Sequence, residues 1–382
     1  MNGTIQASRH AIKALPKVEL HAHLHGSIKQ QTLQRLLAER RPSDDRLADV
    51  SFDLFHIDSI RDLDKCFVYF ELVYLLVEDE QTVQQITQEV LRDFYEDGVR
   101  YLELRTTPKA NERTGLTKDS YLQTLERAIE WAKEALPDMQ VYLLLSVNRA
   151  RLTSAEDARK DVDELLDLAI KHRSLVVGVD ICGNPAKGDL SLVLPLLRSR
   201  LYDDARYHHL KLTVHTAEMA NTDTENAAIL ELNPQRLGHV CFLSDAHSEL
   251  VAREGRAIEL CPTSNKVAMD LTTMEDHHFG YYYKERRHPA ISICTDDTGL
   301  FSTTLTDELQ HLAQAFDLTL DDIWSLQQSA FKSSFAPPEA RQRLGERFFF
   351  RPLSDVCGGC GGENNAGDER GVAEGCEGER GG

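Results

Sequence analysis

Short apolar, β-branched runs recur along the body of the chain, and each is followed by polar or reactive residues and then by an amphipathic stretch. Strand-length apolar runs that alternate with helical periodicity are typical of a parallel sheet covered by helices. Roughly eight such runs occur, and the amphipathic stretches between them include residues 120–136, 157–171 and 190–200. The predicted strands end at His21, Thr106, Asn148, Gly183, Thr216, His239, Thr263 and Asp296.

This alternation predicts an α/β fold, a (β/α)8 TIM barrel. In such a barrel the groups that carry chemistry cluster where the strands end, and the unusual residues of this chain do fall at strand ends. A doubly wound open sheet is the alternative. It should carry a Gly-rich phosphate-binding turn after its first strand, and none is visible, so the barrel is favoured.

The barrel domain is assigned to residues 15–350, after an N-terminal extension of residues 1–14. Residues 64–94 predict a helical insertion after the first strand, which would serve as a lid, a pocket wall or plain outer packing. Residues 351–382 are Gly-rich and poor in apolar side chains, so we expect a disordered tail. Within it, Cys357-Gly-Gly-Cys360 has metal-like spacing, but no second pair of ligands follows, and a metal site there is not favoured.

The formal net charge is -19, from 43 Lys and Arg against 62 Asp and Glu. This balance argues against nucleic-acid binding, which needs a basic footprint, but allows a small anionic substrate held by a few local cations. No apolar run approaches the roughly 20 residues of a membrane span, and the first residues lack the apolar core of a signal peptide. We therefore expect a cytoplasmic protein with neither a nucleic-acid nor a membrane partner. A monomer is also expected, although no feature of the sequence determines the oligomeric state.

Residues 18–26, with the sequence VELHAHLHG, place three histidines at alternating positions directly after an apolar run. Alternate residues of a strand point to the same face, so His21, His23 and His25 should project together at a strand end. Two of them would form a pair of imidazole metal ligands. Such a pair suits zinc, which binds imidazole nitrogen and keeps an open position when it is catalytic.

Three further clusters of reactive residues follow predicted strands. His215 and Glu218 end one strand, His239 ends the next, and Asp296 with Asp297 follows the last. A single strand-end histidine is more often a hydrogen-bonded structural residue, and a lone aspartate pair is more often a helix cap. Several such features at successive strand ends favour a joint metal site instead.

With these motifs the chain resembles the adenosine deaminase family of zinc-dependent amidohydrolases, over residues 15–335. Within that family it is most similar to members that act on N(6)-methyl-AMP. Further local matches are Arg105-Thr-Thr-Pro-Lys109, Thr263-Ser-Asn265, His277-His-Phe279 and the sequence CTDDTGLF at residues 294–301.

The resemblance implies one zinc ion per chain, held by His21, His23, His215 and Asp296. It also implies catalytic roles for two residues. Glu218 would protonate the purine nitrogen beside the reacting carbon, while His239 would orient the attacking water and help take its proton. The resemblance further implies substrate contacts from His23, His25, Tyr74, Thr106, Thr107, Pro108, Lys109, Asn148, Gly183, Glu218 and Asp297.

Position 25 bears most directly on the substrate. Family members that act on nucleosides carry Asp there, and that carboxylate would repel a substrate phosphate by roughly 4 kcal/mol at about 4 Å and an effective dielectric near 20. His25 removes this repulsion and has N–H groups to offer a phosphate. Nucleotide-acting members often have Asn at this position, so His25 departs from both patterns. Lys109 supports a nucleotide, with a plain surface lysine as the alternative.

The predicted reaction is hydrolytic removal of the alkylamine from N(6)-methyl-AMP, which yields IMP and methylamine. One alternative is an adenosine deaminase acting on the free nucleoside. Another is a catalytically silent purine-binding relative, although retention of all four ligands with Glu218 and His239 argues against it.

Overall fold

The computed structural model describes residues 7–51 and 63–356. Eight strands form one sheet and pair in parallel in the order in which they occur along the chain. They are β1 (Lys17–His23), β2 (Val99–Thr106), β3 (Gln140–Asn148), β4 (Val176–Cys182), β5 (Lys211–Thr216), β6 (Arg236–His239), β7 (Ala257–Leu260) and β8 (Ile291–Ile293).

The sheet closes on itself just beyond β8. Asp296 N–H donates to the His21 carbonyl at 2.8 Å, and His23 N–H donates to the Asp296 carbonyl at 2.9 Å. The last strand thus meets the first. This closed parallel sheet with helices between its strands confirms the predicted (β/α)8 barrel.

Helices occupy the connections and the outside of the barrel. They are α1 (Arg9–Ala14), α2 (Gln30–Arg40), α3 (Leu63–Leu76), α4 (Glu80–Glu96), α5 (Lys118–Ala135), α6 (Ala155–Lys171), α7 (Leu194–Asp203), α8 (Asp223–Leu232), α9 (Asp245–Glu254), α10 (Pro262–Ala268), α11 (Thr298–Phe301), α12 (Leu305–Phe316), α13 (Leu320–Ser333), α14 (Pro338–Leu344) and α15 (Leu353–Val356). None of those within the described ranges is both long and apolar enough to cross a membrane.

The helix α4 illustrates how local sequence fixes these elements. It begins where the Asp79 side chain accepts a hydrogen bond from Thr82 N–H at 2.8 Å, which satisfies one free donor of the first turn. Val83, Ile86 and Val90 then fall on one face and are buried. Burial of each such side chain contributes about 1.5–3 kcal/mol, so this face holds α4 against the barrel.

The predicted insertion after the first strand corresponds to α3 and α4, with a break between them at residues 77–79. Side chains of α3, among them Phe70 and Tyr74, line the cavity described below. Part of the insertion therefore forms a wall of the pocket.

Both predicted ends of the domain are partly described. The N-terminal extension contains α1, whose Ile12 is buried and whose Arg9 pairs with Asp307 of α12 at 2.7 Å. At the other end α15 lies inside the stretch predicted to be disordered, so helical structure continues past Arg351. The rest of that tail, with Cys357 and Cys360, lies outside the described residues.

Candidate active site

Four side chains converge at the carboxyl ends of β1, β5 and β8. The ligand atoms of His21, His23, His215 and Asp296 all lie within 4.8 Å of one another. His215 Nε2 is 3.2 Å from His21 Nε2 and 3.1 Å from His23 Nε2. Asp296 Oδ1 is 3.4 Å from His21 Nε2 and 3.3 Å from His23 Nε2. The four residues that the sequence predicts as metal ligands are thus neighbours in space.

The outer nitrogens of two of these histidines contact buried carboxylates. His21 Nδ1 lies 2.8 Å from Glu259 Oε2, and His215 Nδ1 lies 3.0 Å from Asp180 Oδ1. Arg105 donates to both carboxylates. Burial alone would raise the pKa of Glu259, but the charged arginines beside it hold that pKa well below its usual range. An ionised carboxylate only accepts hydrogen bonds, so Nδ1 of each imidazole carries a proton, and in the neutral ring Nε2 is the nitrogen that presents a lone pair.

These lone pairs make the cluster a fit for a metal ion. In the neutral rings the Nε2 lone pairs of His215 and His21 face each other at 3.2 Å, which is repulsive unless a cation lies between them. His23 Nε2 lies 3.1 Å from the same His215 nitrogen. Two nitrogens bound to one tetrahedral zinc at ~2.0–2.1 Å would lie roughly 3.3–3.4 Å apart. A set of three imidazoles and one carboxylate suits zinc. Two of the imidazoles also contact a second carboxylate through Nδ1, which is the usual arrangement around zinc-binding histidines.

Glu218, His239 and Asp297 lie beside the cluster. His239 Nε2 is 3.6 Å from Glu218 Oε1 and 4.0 Å from Asp296 Oδ2. Burial raises the pKa of Glu218 against the lowering effect of His215, and the negative charge of Asp296 raises it further. Burial, and then the charges of Asp296 and Glu218, also raise the pKa of Asp297. A carboxyl with a raised pKa is suited to hold a proton and to donate it.

The backbone around these groups is left-handed at several residues other than glycine. Ala217, His239 and Asp296 have φ angles of 54°, 62° and 60°. Such residues are uncommon and cost energy, and they concentrate at functional sites. At Asp296 the left-handed conformation ends the alternation of side-chain directions along the strand and directs the carboxylate toward the histidines. The backbone at position 26 approaches Asp297 so closely that it requires glycine, because a Cβ there would lie 1.6 Å from Asp297 Oδ1.

A cavity of about 230 Å³ opens onto the cluster. Among the residues that line it are nine of the predicted substrate contacts. They are His23, His25, Tyr74, Thr106, Thr107, Asn148, Gly183, Glu218 and Asp297. Gly183 has a φ of 102°, and a Cβ there would lie 2.5 Å from Asn148 Oδ1, so glycine is needed for this part of the wall.

Pro108 and Lys109 are the two predicted contacts that do not line this cavity. Pro108 lines a separate small cavity together with Asn148. Lys109 is half-buried, and its ammonium lies 3.3 Å from the centre of the Tyr74 ring. Burial, and then the charge of Arg151, lower the pKa of Lys109 to about 7. The lysine is therefore beside the cavity wall and close to the border between its charged and neutral forms.

His25 is also buried in this wall. Its ring packs edge-on against Tyr74 with 5.3 Å between the centroids, and its Nε2 has no hydrogen-bond partner within the described part of the chain. A buried donor or acceptor without a partner is costly, and such atoms often mark a place where a ligand binds.

Sequence reasoning missed the residues behind the predicted ligands. Asp180 and Glu259 contact two of the histidines predicted as metal ligands, Arg105 donates to both carboxylates, and Asn265 contacts His239. A usable signal was present, because Asp180 and Glu259 each interrupt an apolar strand. An ionisable residue at a buried strand position requires a charged or hydrogen-bonding partner.

Comparison with known proteins agrees with this geometry. The family model named adenosine deaminase matches residues 16–349. N6-Methyl-AMP deaminase of Bos taurus is 35% identical over 341 residues, which cover 87% of this chain and 93% of that protein. N6-mAMP deaminase of Arabidopsis thaliana is 34% identical over 367 residues, covering 90% and 98%. The solved structure of Arabidopsis ADAL complexed with IMP superposes with a TM-score of 0.77 at 34% identity, covering 88% and 97%.

Proposed function

This chain belongs to the adenosine deaminase family of hydrolytic deaminases, and we propose that it removes the alkylamine from N(6)-methyl-AMP to give IMP and methylamine. The observation that carries the reaction is the convergence of four metal-ligand side chains beside Glu218 and His239 at a cavity. The relatives named N6-methyl-AMP deaminase support the choice of substrate. One zinc ion per chain would be held by His21, His23, His215 and Asp296.

The proposed mechanism assigns one task to each residue around the purine. Bound zinc would lower the pKa of a water toward about 7, which makes that water a nucleophile at neutral pH. Glu218 donates a proton to the ring nitrogen beside the reacting carbon, and its raised pKa suits this task. Asp297 accepts or donates a hydrogen bond at the purine, and His239 contacts the oxygen that adds. The proton of the new hydroxyl group then passes to the exocyclic nitrogen, the C–N bond breaks as the C=O bond of IMP forms, and methylamine leaves.

The phosphate is assigned to the side of the cavity formed by residues after β1, β2 and β4. His25 and Thr107 line this side, as does Lys187 from the loop after β4, and the Lys109 ammonium lies against the ring of Tyr74, which also lines the cavity. The carboxylates at the reacting end come instead from the loops after β5 and β8. A nucleotide is thus able to place its phosphate near cations and its base near the metal ligands.

The test compares turnover of N(6)-methyl-AMP, AMP, N(6)-methyladenosine and adenosine by the purified protein, with zinc measured on the same sample. We expect N(6)-methyl-AMP to be the fastest and one zinc per chain to be present. Faster turnover of adenosine would contradict the nucleotide assignment. One bound zinc without turnover of any of the four would instead favour the silent purine-binding alternative.

The variants His25→Asp and His25→Asn sharpen this experiment. The new carboxylate of His25→Asp would face the substrate phosphate, and full repulsion at an effective dielectric near 20 corresponds to about 10³-fold. Because salt screens part of this repulsion, we expect selectivity to move toward the nucleoside by about 10²-fold. His25→Asn is the matched control, because it keeps a hydrogen-bond donor without adding charge, and it should keep the nucleotide preference. Equal selectivity of the two variants would place the phosphate elsewhere.

The lowered pKa of Lys109 predicts a pH dependence that is specific to nucleotides. The ammonium is present below its pKa of about 7 and is lost as the pH rises. The pH dependence of kcat/KM reports the pKa values of the free enzyme. The kcat/KM for N(6)-methyl-AMP should therefore fall about tenfold between pH 7 and 9 relative to the kcat/KM for N(6)-methyladenosine. Dividing the two profiles removes changes at the reacting end, which both substrates share.

Lys109→Met is the matched variant for this prediction. It should lower kcat/KM for the nucleotide at pH 7 by about 10–100-fold, the loss of one charge-assisted hydrogen bond. The ratio of nucleotide to nucleoside should then become independent of pH. A pH-dependent ratio that survives in Lys109→Met would assign the titration to another group.

A further inference from the structure

The hydrogen bonds around Asn265 determine which ring nitrogen of His239 carries the proton. Asn265 is completely buried on α10. Its Oδ1 lies 3.0 Å from the backbone nitrogen of Cys261, and its Nδ2 lies 2.9 Å from His239 Nδ1. A backbone N–H only donates, so the atom facing Cys261 is the amide oxygen. The group facing His239 is then the amide NH2, which also only donates.

His239 must therefore offer a lone pair at Nδ1. In a neutral imidazole one nitrogen carries the proton and the other accepts, so the proton of His239 is on Nε2. The opposite tautomer would place two N–H donors 2.9 Å apart in a buried site, where neither has another hydrogen-bond acceptor among the described residues.

The orientation of His239 is fixed from a second side. His278 Nε2 donates to the His239 carbonyl at 2.8 Å, at the residue whose φ is 62°. With the backbone held in this way, Nε2 points into the site. It has no hydrogen-bond partner among the described residues, and the nearest carboxylate oxygens are 3.6 Å away in Glu218 and 4.0 Å away in Asp296. The Nε2 group is therefore free to donate to an oxygen that binds at the site.

We propose that Asn265 is a positioning residue that holds neutral His239 as its Nε2–H tautomer, so that His239 serves as a hydrogen-bond donor to the oxygen that adds to the purine. This inference rests on the proposed deaminase function. It changes the role expected from the sequence, in which His239 helps to take the proton of the attacking water. A base needs a lone pair at Nε2, and the contact with Asn265 leaves none there.

Glu218 then carries out both proton transfers. As the new C–O bond forms, an O–H bond of the water breaks, and the electron pair of the purine C=N bond moves to the ring nitrogen. Protonated Glu218 delivers its proton to that nitrogen, and the carboxylate so formed accepts the proton of the water. Water is thereby added across C=N, while Glu218 and His239 end in the states in which they began.

The first test is a nitrogen NMR measurement on the zinc-loaded protein with ¹⁵N-labelled histidine. A protonated ring nitrogen and an unprotonated one have well-separated chemical shifts, and comparison with His239→Gln assigns the signals. We expect His239 to show a protonated Nε2 and an unprotonated Nδ1. This measurement needs no substrate, so it tests the tautomer even if the proposed substrate is wrong.

The second test is the variant Asn265→Asp. An ionised aspartate still accepts from Cys261 N–H, but toward His239 it only accepts, so it favours the proton on Nδ1. In a serine protease, forcing the wrong histidine tautomer lowers kcat by about 10⁴-fold, and we expect a loss of about 10³-fold here. Asn226→Asp, which places a carboxylate at a buried position of α8 outside the cavity, is the control and should keep its activity.

The outcomes separate cleanly. If Nε2 of the wild-type His239 proves unprotonated, the inference is wrong. It is also wrong if Asn265→Asp reverses the tautomer and keeps its rate, or loses its rate with the tautomer unchanged. A wild-type protein without deaminase activity but with the expected tautomer would count against the proposed function alone.

Discussion

Replacing Glu218 with glutamine should lower kcat by about 10²–10⁴-fold, the usual contribution of a positioned general acid or base. Glutamine has nearly the same shape as glutamate, but it neither accepts the proton of the water nor donates one to the purine nitrogen. Glu218 is not among the four proposed metal ligands, so zinc content should remain the same as in the wild type. The measurement is steady-state turnover of N(6)-methyl-AMP together with metal analysis of the same sample.

A matched control is Glu225→Gln, which changes a carboxylate that pairs with Arg149 and does not line the cavity. It should retain its rate. Loss of zinc from Glu218→Gln would contradict the role as proton carrier and make Glu218 a ligand. A normal rate with normal zinc would require a different proton donor.

Much of this site could be predicted because strand ends of a parallel barrel lie on one rim. His21, His23, His215 and His239 lie at or near the ends of β1, β5 and β6, as the apolar runs predicted. Asp296 lies three residues beyond the end of β8, where a strand was predicted to continue. The predicted strand fails there because Asp296 is left-handed, and that conformation is set by barrel closure rather than by local sequence.

The strand before α10 was likewise predicted to run too far. β7 ends at Leu260, and α10 begins at Pro262, which fixes its own φ and lacks the N–H that a strand would need. This early start of a helix brings Asn265 under His239. The contact that sets the tautomer of His239 therefore depends on a helix boundary that the apolar pattern alone did not locate.

Contacts behind the ligands depend on which strands face one another across the barrel. Arg105 of β2 reaches Asp180 of β4 and Glu259 of β7, and no local pattern links those three positions. Their presence in apolar strands indicates buried charge, but the pairing requires the closed sheet. The ligand motifs could be recognised from short stretches of sequence, whereas the contacts of their supporting residues depend on the closed sheet.

Replacing Arg105 with methionine should lower the free energy of unfolding by about 3–5 kcal/mol, the cost of leaving buried charges without their partner. The guanidinium is completely buried and donates to Asp180, to Glu259 and to the Leu20 carbonyl. Without it, the carboxylates behind His21 and His215 would repel each other. Loss of such supporting contacts typically weakens metal binding by about 10–100-fold. Urea unfolding and zinc titration measure the two effects.

Arg100→Met is the control on the same strand, since Arg100 is half-buried, lies over the Tyr95 ring and donates to backbone carbonyls. We expect it to cost about 1 kcal/mol and to leave zinc affinity unchanged. Arg105→Lys should restore only part of the loss, because a single ammonium does not reproduce the fork of a guanidinium between two carboxylates. If Arg105→Met proved as stable and bound zinc as tightly as Arg100→Met, the carboxylates would have to be protonated, and the lone pairs that we assign to Nε2 of His21 and His215 would lose their basis.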